Sequence, residues 1–106
     1  ALEYLSLGLV GEAGEVANKL KKVIRGDYQD PKLGSAIPEA VRYEIIDELG
    51  DVLWYVAQLS IVLDIRLSSV MEQNIRKLKN RQQDNTLKGD NRAEVINLDK
   101  VKKLYE

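Results

Sequence analysis

Residues Asp47 to Val56 read DELGDVLWYV, a cluster of acids that runs straight into an apolar segment. Helical spacing puts Glu44, Asp47, Glu48 and Asp51 close together, and Val52, Leu53, Val56, Leu59 and Leu63 follow as candidate core. A helix that crowds acids beside the part it must bury works against itself. Like charges at i,i+4 destabilise a helix by roughly a few tenths of a kcal/mol, and burial worsens the repulsion. A bound cation resolves the conflict.

The rest of the composition narrows the choice of cation. The 106 residues suffice for one compact domain. Cysteine and histidine are both absent, so thiolate sites, His-based zinc sites and the Glu-x-x-His pattern of di-iron bundles are excluded. Carboxylate oxygen remains, which suits magnesium, manganese or calcium. A net charge of −1 gives no bulk attraction to a nucleic-acid polymer or an anionic membrane. The run from Val52 to Leu63 is too short to span a bilayer, and no signal peptide is recognisable, so a cytoplasmic location is expected. The chain starts at Ala1 within a pattern already helical, which predicts further sequence before it.

Outward from the acidic stretch, the 3.6 period predicts a first helix over about residues 2–25, with Leu5, Leu9, Val16, Leu20 and Val23 inward. Basic residues load its last turns, and Gly26 is the expected stop. Gly8, Gly11 and Gly14 each cost roughly 1 kcal/mol relative to alanine inside a helix, and close packing against a neighbouring helix is the ordinary reason for them. Residues 26–38 read as a loop longer than most helix connections. The second helix is expected from Pro38 or Glu39 to Asp64. Its later half is apolar on nearly every side, which implies cover from several directions and hence a homo-oligomer. A third helix follows a cap at Ser68 or Ser69, with capping-box spacing to Glu72, and runs to about Arg81, with Val70, Ile75 and Leu78 inward. Residues 82–92 read as loop, and Asp99 is placed to cap a short terminal helix through Tyr105.

Glu12 and Glu15 are three apart on the first helix, as are Glu48 and Asp51 on the second, so each pair shares a face. Two such helices packed antiparallel can point four carboxylates into one gap, where Mg²⁺ completed by substrate phosphates would neutralise them. The plainer reading is two solvated acidic faces. Lys19 and Lys22 continue the face of Glu15, and Asn74, Lys77 and Arg81 are spaced by three and four on the third helix. They either hold phosphate oxygens or are ordinary helix surface. Tyr55, four after Asp51, lies on the carboxylate face and either stacks on a nucleobase or packs in the core or an interface, the packing being a reading it shares with Trp54.

Leu7-Gly-Leu-Val-Gly-Glu-Ala-Gly-Glu-Val16, the KKVIR run at residues 21–25, Glu48-Leu-Gly-Asp-Val-Leu-Trp-Tyr55 and Asn74-Ile-Arg-Lys-Leu78 occur in this order. Together they resemble the MazG family of all-α nucleoside triphosphate pyrophosphohydrolases, over about residues 4–81. The resemblance implies an all-α, antiparallel helical bundle completed by homo-oligomerisation into a dimer or tetramer. Residues 1–81 would form the catalytic domain, and residues 82–106 a tail with a short helix. It also implies Mg²⁺-dependent hydrolysis of a ribo- or deoxynucleoside triphosphate to monophosphate and pyrophosphate, with Mn²⁺ as a substitute metal.

The family's E-x-x-E and E-x-x-D ligands fall on Glu12, Glu15, Glu48 and Asp51, one of the glutamates doubling as general base. Its N-x-x-K element falls on Asn74 and Lys77, with Lys19, Lys22 and Arg81 as further candidates for the polyphosphate and Tyr55 for the base. The two acidic motifs stand further apart than is usual in the family, and the loop at 26–38 holds the excess. The tail resembles only a subset of relatives, through Gly89 and Arg92. The competing class is a non-catalytic helical oligomerisation or interaction module whose acids are structural. A carboxylate-bridged redox bundle is disfavoured by the lack of histidine.

Overall fold

The computed structural model describes residues 1–28, 37–83 and 98–105. All regular structure among them is helical: α1 (Leu2–Arg25), α2 (Glu39–Val62), α3 (Leu67–Gln83) and α4 (Leu98–Leu104). Most of the two expected loops, at 29–36 and from 84 onward, lies outside the described residues, as do Gly89 and Arg92. The chain divides into two units, Ala1–Leu63 and Asp64–Glu106.

In the first unit α1 packs on α2. The stop at Gly26 is as expected, and its geometry explains why glycine stands there. Gly26 has φ 86° and ψ 17°, a left-handed conformation that a side chain disfavours. The Gly26 N–H donates to the Val23 carbonyl and the Asp27 N–H to the Lys22 carbonyl, both at 3.1 Å, so the last turn closes on itself. At the other end of the gap Pro38 precedes α2, and its carbonyl accepts the Arg42 N–H at 2.9 Å.

The contacts between α1 and α2 run in opposite senses along the two helices. Tyr4 and Gly8 meet Tyr55, Glu12 meets Glu48 and Asp51, and Lys19 meets Glu44. Leu5 on α1 and Val41 and Ile45 on α2 are buried. Val52, Val56 and Leu59 are half-buried, as are Leu9, Val16 and Val23. Two of the expected core residues on α2 are not core within this chain: Leu53 is 59% exposed and Leu63 70%. Leu20 on α1 is exposed as well. A helix apolar on nearly every side has more surface than one neighbour can cover, so periodicity could not say which apolar residues α1 would reach.

The end of α2 also differs from expectation. The helix stops at Val62, and Asp64 adopts φ 54° instead of continuing it. Aspartate is among the few residues that tolerate this region.

The second unit contains α3 and α4, each with one buried apolar residue, Ile75 and Leu98. α3 begins earlier than its serines suggest. The Arg66 carbonyl accepts the N–H of Ser69 at 3.0 Å and of Val70 at 3.3 Å, so Ser68 and Ser69 lie inside the first turn and do not cap it. Val70, expected inward, is exposed. No single described helix is long and apolar enough to cross a membrane.

Candidate metal centre

The acids that converge come from two helices. Glu12 from α1 and Glu48 and Asp51 from α2 each offer a carboxylate oxygen, and these three oxygens lie within 4.8 Å of one another. Glu12 and Glu48 are half-buried, and Asp51 is exposed. The i,i+3 spacing of Glu48 and Asp51 places both on one face of α2, and the α1–α2 packing brings Glu12 across to them. Glu15, one turn along α1, is exposed and stands outside this group, though its charge reaches Glu12.

The electrostatics show a cluster under strain. Partial burial pushes the Glu12 carboxyl above its ordinary value, and the charges of Asp51 and Glu48 push it the same way. A carboxyl–carboxylate hydrogen bond to Glu48 and the charge of Glu15 add to the effect. A proton is thus a partial substitute for a cation here. The donor set, three carboxylate oxygens and no nitrogen or sulfur, fits a hard divalent ion.

The flanking residues take definite places. Lys19 is engaged by Glu44, with its Nζ 3.3 Å from Oε2, and that hydrogen bond is the leading cause of its raised pKa. Glu48 also lies within reach of the Lys19 charge. Lys22 is half-buried at the end of α1, where its charge helps lower the Asp27 carboxyl. The leading cause of that lowering is the hydrogen bond from Arg25.

Tyr55 sits beside the carboxylates, as its spacing suggested. A Tyr4 hydrogen bond, then desolvation and the charges of Tyr4, Glu12 and Asp51, push its hydroxyl above the ordinary phenol value. Trp54 meets Tyr55 edge-on, with ring centroids 4.9 Å apart and planes at 88°. Tyr4 was not singled out by sequence. The signal was present: Tyr4, Gly8, Glu12, Glu15 and Lys19 are spaced by three and four, so Tyr4 opens the very stripe that carries the acids. Glu44, the partner of Lys19, likewise continues the stripe of Glu48, Asp51 and Tyr55.

Asn74, Lys77 and Arg81 are on α3, in the second unit, and all three are exposed. That unit also holds a cleft of about 350 Å³ between α3 and α4, lined by Met71, Ile75, Arg76, Lys79, Lys102 and Tyr105 among others. It holds none of the three clustered carboxylates. It lies on the side of α3 away from Asn74 and Lys77, as the helical spacing of its lining requires.

Comparison with known proteins matches the sequence to a family. A family model described as the MazG nucleotide pyrophosphohydrolase domain matches residues 1–86. The chain is also 45% identical over 93 residues to a protein named Gene 37 protein from Mycobacterium phage L5, covering 86% of this chain and 76% of that one. No solved structure matches.

Proposed function

Because the chain belongs to the MazG nucleotide pyrophosphohydrolase domain family, we propose that it is a divalent-metal-dependent enzyme of the cytoplasm. On this reading it converts a ribo- or deoxynucleoside triphosphate to the monophosphate and pyrophosphate. The observation that carries the reading is the meeting of Glu12, Glu48 and Asp51, three acids from two helices with their oxygens within 4.8 Å. These three would hold the ion, Mg²⁺ or its substitute Mn²⁺, and Glu15 would complete the set from the next turn. When bound, the ion would offset negative charge on the triphosphate and lower the pKa of a nearby water.

The chain's own residues do the rest. Glu12, Glu15, Glu48 and Asp51 would hold the ion against which the α-phosphate end of the substrate lies, and one of Glu12, Glu15 or Glu48 takes the proton of the attacking water. The new bond joins the water oxygen to the α-phosphorus. The bond broken is that to the bridging oxygen, which leaves with its electron pair on pyrophosphate. Lys77, Asn74 and Arg81, with Lys22 and Lys19, donate to the polyphosphate. Lys19 must share itself with Glu44 to do so. Tyr55 supplies a flat surface for the base.

The second reading, a non-catalytic interaction module, is favoured by one observation: the exposure of Leu53, Trp54, Ile61, Val62 and Leu63 on α2. That apolar surface fits self-association of an antiparallel bundle into a homodimer or homotetramer under either reading. The deciding experiment is pyrophosphate release from a panel of ribo- and deoxynucleoside triphosphates with Mg²⁺, alongside calorimetric titration with a non-hydrolysable nucleotide. Release from at least one nucleotide is expected. A chain that binds neither metal nor nucleotide is the module.

A further inference from the structure

Tyr55 is half-buried and meets neighbours on several sides. A Cβ built on Gly8 would run into the Tyr55 ring, so that ring lies directly on the bare backbone of α1. The Tyr4 ring stands against it with centroids 6.2 Å apart and planes at 54°. Tyr4 also acts on the Tyr55 hydroxyl, holding it above the ordinary phenol value, and the edge contact with Trp54 closes another side. Tyr4 itself is 65% exposed, so its own burial adds little to the core. Its chief connection is to Tyr55.

We propose that Tyr4 is a positioning residue: with Gly8 as floor, it clamps the Tyr55 ring beside Glu12 and Asp51, presetting a flat wall for the base of a nucleotide whose phosphates lie at the carboxylates. The inference rests on the nucleotide reading above. Its physical basis is that a ring ordered before binding loses less freedom when the base arrives. Gly8 explains itself in the same way, since any side chain there would lift the ring from its seat. Tyr4 therefore acts on the strength of binding and leaves the chemical step to the carboxylates.

Trp54 makes the test direct. It is the chain's single tryptophan, and its contact with Tyr55 lets its fluorescence follow that ring. The full chain is titrated, in Mg²⁺, with the α,β-imido analogues of dUTP and of dATP, and hydrolysis of the nucleotide best cleaved is followed in parallel. Tyr4→Phe keeps the ring and loses the hydroxyl. It should weaken analogue binding and raise KM about three- to tenfold, the usual effect of losing one neutral hydrogen bond. kcat and the Mg²⁺ affinity should stay at wild-type values. Gly8→Ala, which displaces the ring from its other side, should give the same split while circular dichroism reports an intact helix. A Tyr4→Phe protein that binds the analogues as wild type does, or that loses kcat with KM unchanged, overturns the positioning role and leaves the nucleotide reading standing. A wild-type protein whose Trp54 responds to neither analogue and which cleaves no nucleotide overturns both.

Discussion

α2 carries Glu39, Glu44, Asp47, Glu48 and Asp51 against a single basic residue, Arg42, whereas α3 carries Arg76, Lys77, Lys79 and Arg81 against a single acid, Glu72. The net charge of −1 conceals this division. Three of the acids with ionic neighbours are drawn toward α1, one into an ion pair with Lys19 and two into the Glu12 cluster. Asn74, Lys77 and Arg81 on α3 are exposed. The contrast teaches that a balanced total charge is compatible with two tracts that want different things. By charge alone, the acidic tract attracts cations and the basic tract anions.

The contrast can be broken from either side, and the expected effects differ in kind. On the acidic side, Glu48→Gln should keep the helices, as circular dichroism will report, but lose turnover by about 100-fold or more, because one of the carboxylates that would hold the metal ion is gone. Near-wild-type turnover by that variant would count heavily against the enzyme reading. Self-association should be nearly as sensitive. Leu53→Asp puts a charge on the exposed apolar face of α2 and should weaken association by about 100-fold, moving the protein to protomer size in sedimentation. If Leu53→Asp leaves the sedimentation profile unchanged, that face is not the interface. On the basic side, Lys77→Ala should raise KM about tenfold with little change in kcat, the cost of one charge-assisted phosphate contact.

The smallest effect tests the cluster without a substrate. The Glu12 pKa is raised above 4.5, so in metal-free protein its stabilising contribution is full below that unfolded value and is lost as pH rises through the folded one. The melting temperature in chelator should therefore fall from mildly acidic toward neutral pH. Glu12→Gln should flatten that slope. Mg²⁺ should raise the melting temperature more as pH rises, because proton and metal compete for Glu12. A slope that persists unchanged in Glu12→Gln assigns the pH dependence to other groups.

Much of this was legible before any coordinates. α1 and α2 begin where the periodicity and Pro38 put them, and the close approach expected of the α1 glycines is realised at Gly8. The i,i+3 pairing of Glu48 and Asp51 already implied a shared face, and the convergence of Glu12 on them follows once α1 and α2 pack. What was not legible depends on choices that a one-dimensional pattern leaves open. Leu53 and Leu63 look as inward as Val41 and Ile45 when nearly every position is apolar; only the reach of α1 decides between them. Ser69 with Glu72 has the spacing of a capping box, yet the Arg66 carbonyl starts α3 first. Lys19 sits as well for a phosphate as for a carboxylate, and Glu44 on the facing helix claims it. Tyr4 was missed because an aromatic near a helix start reads as packing until its partner across the gap is known.

Gly11 and Gly14 differ from Gly8 in having nothing within 4 Å of where a Cβ would stand. Among the described residues, alanine at either position would meet no obstacle and would favour the helix by roughly 1 kcal/mol. The described part of the fold therefore gives no packing reason for glycine at these two positions. Over the turn that carries Glu12, the helix thus presents bare main chain at two places where a side chain would otherwise stand.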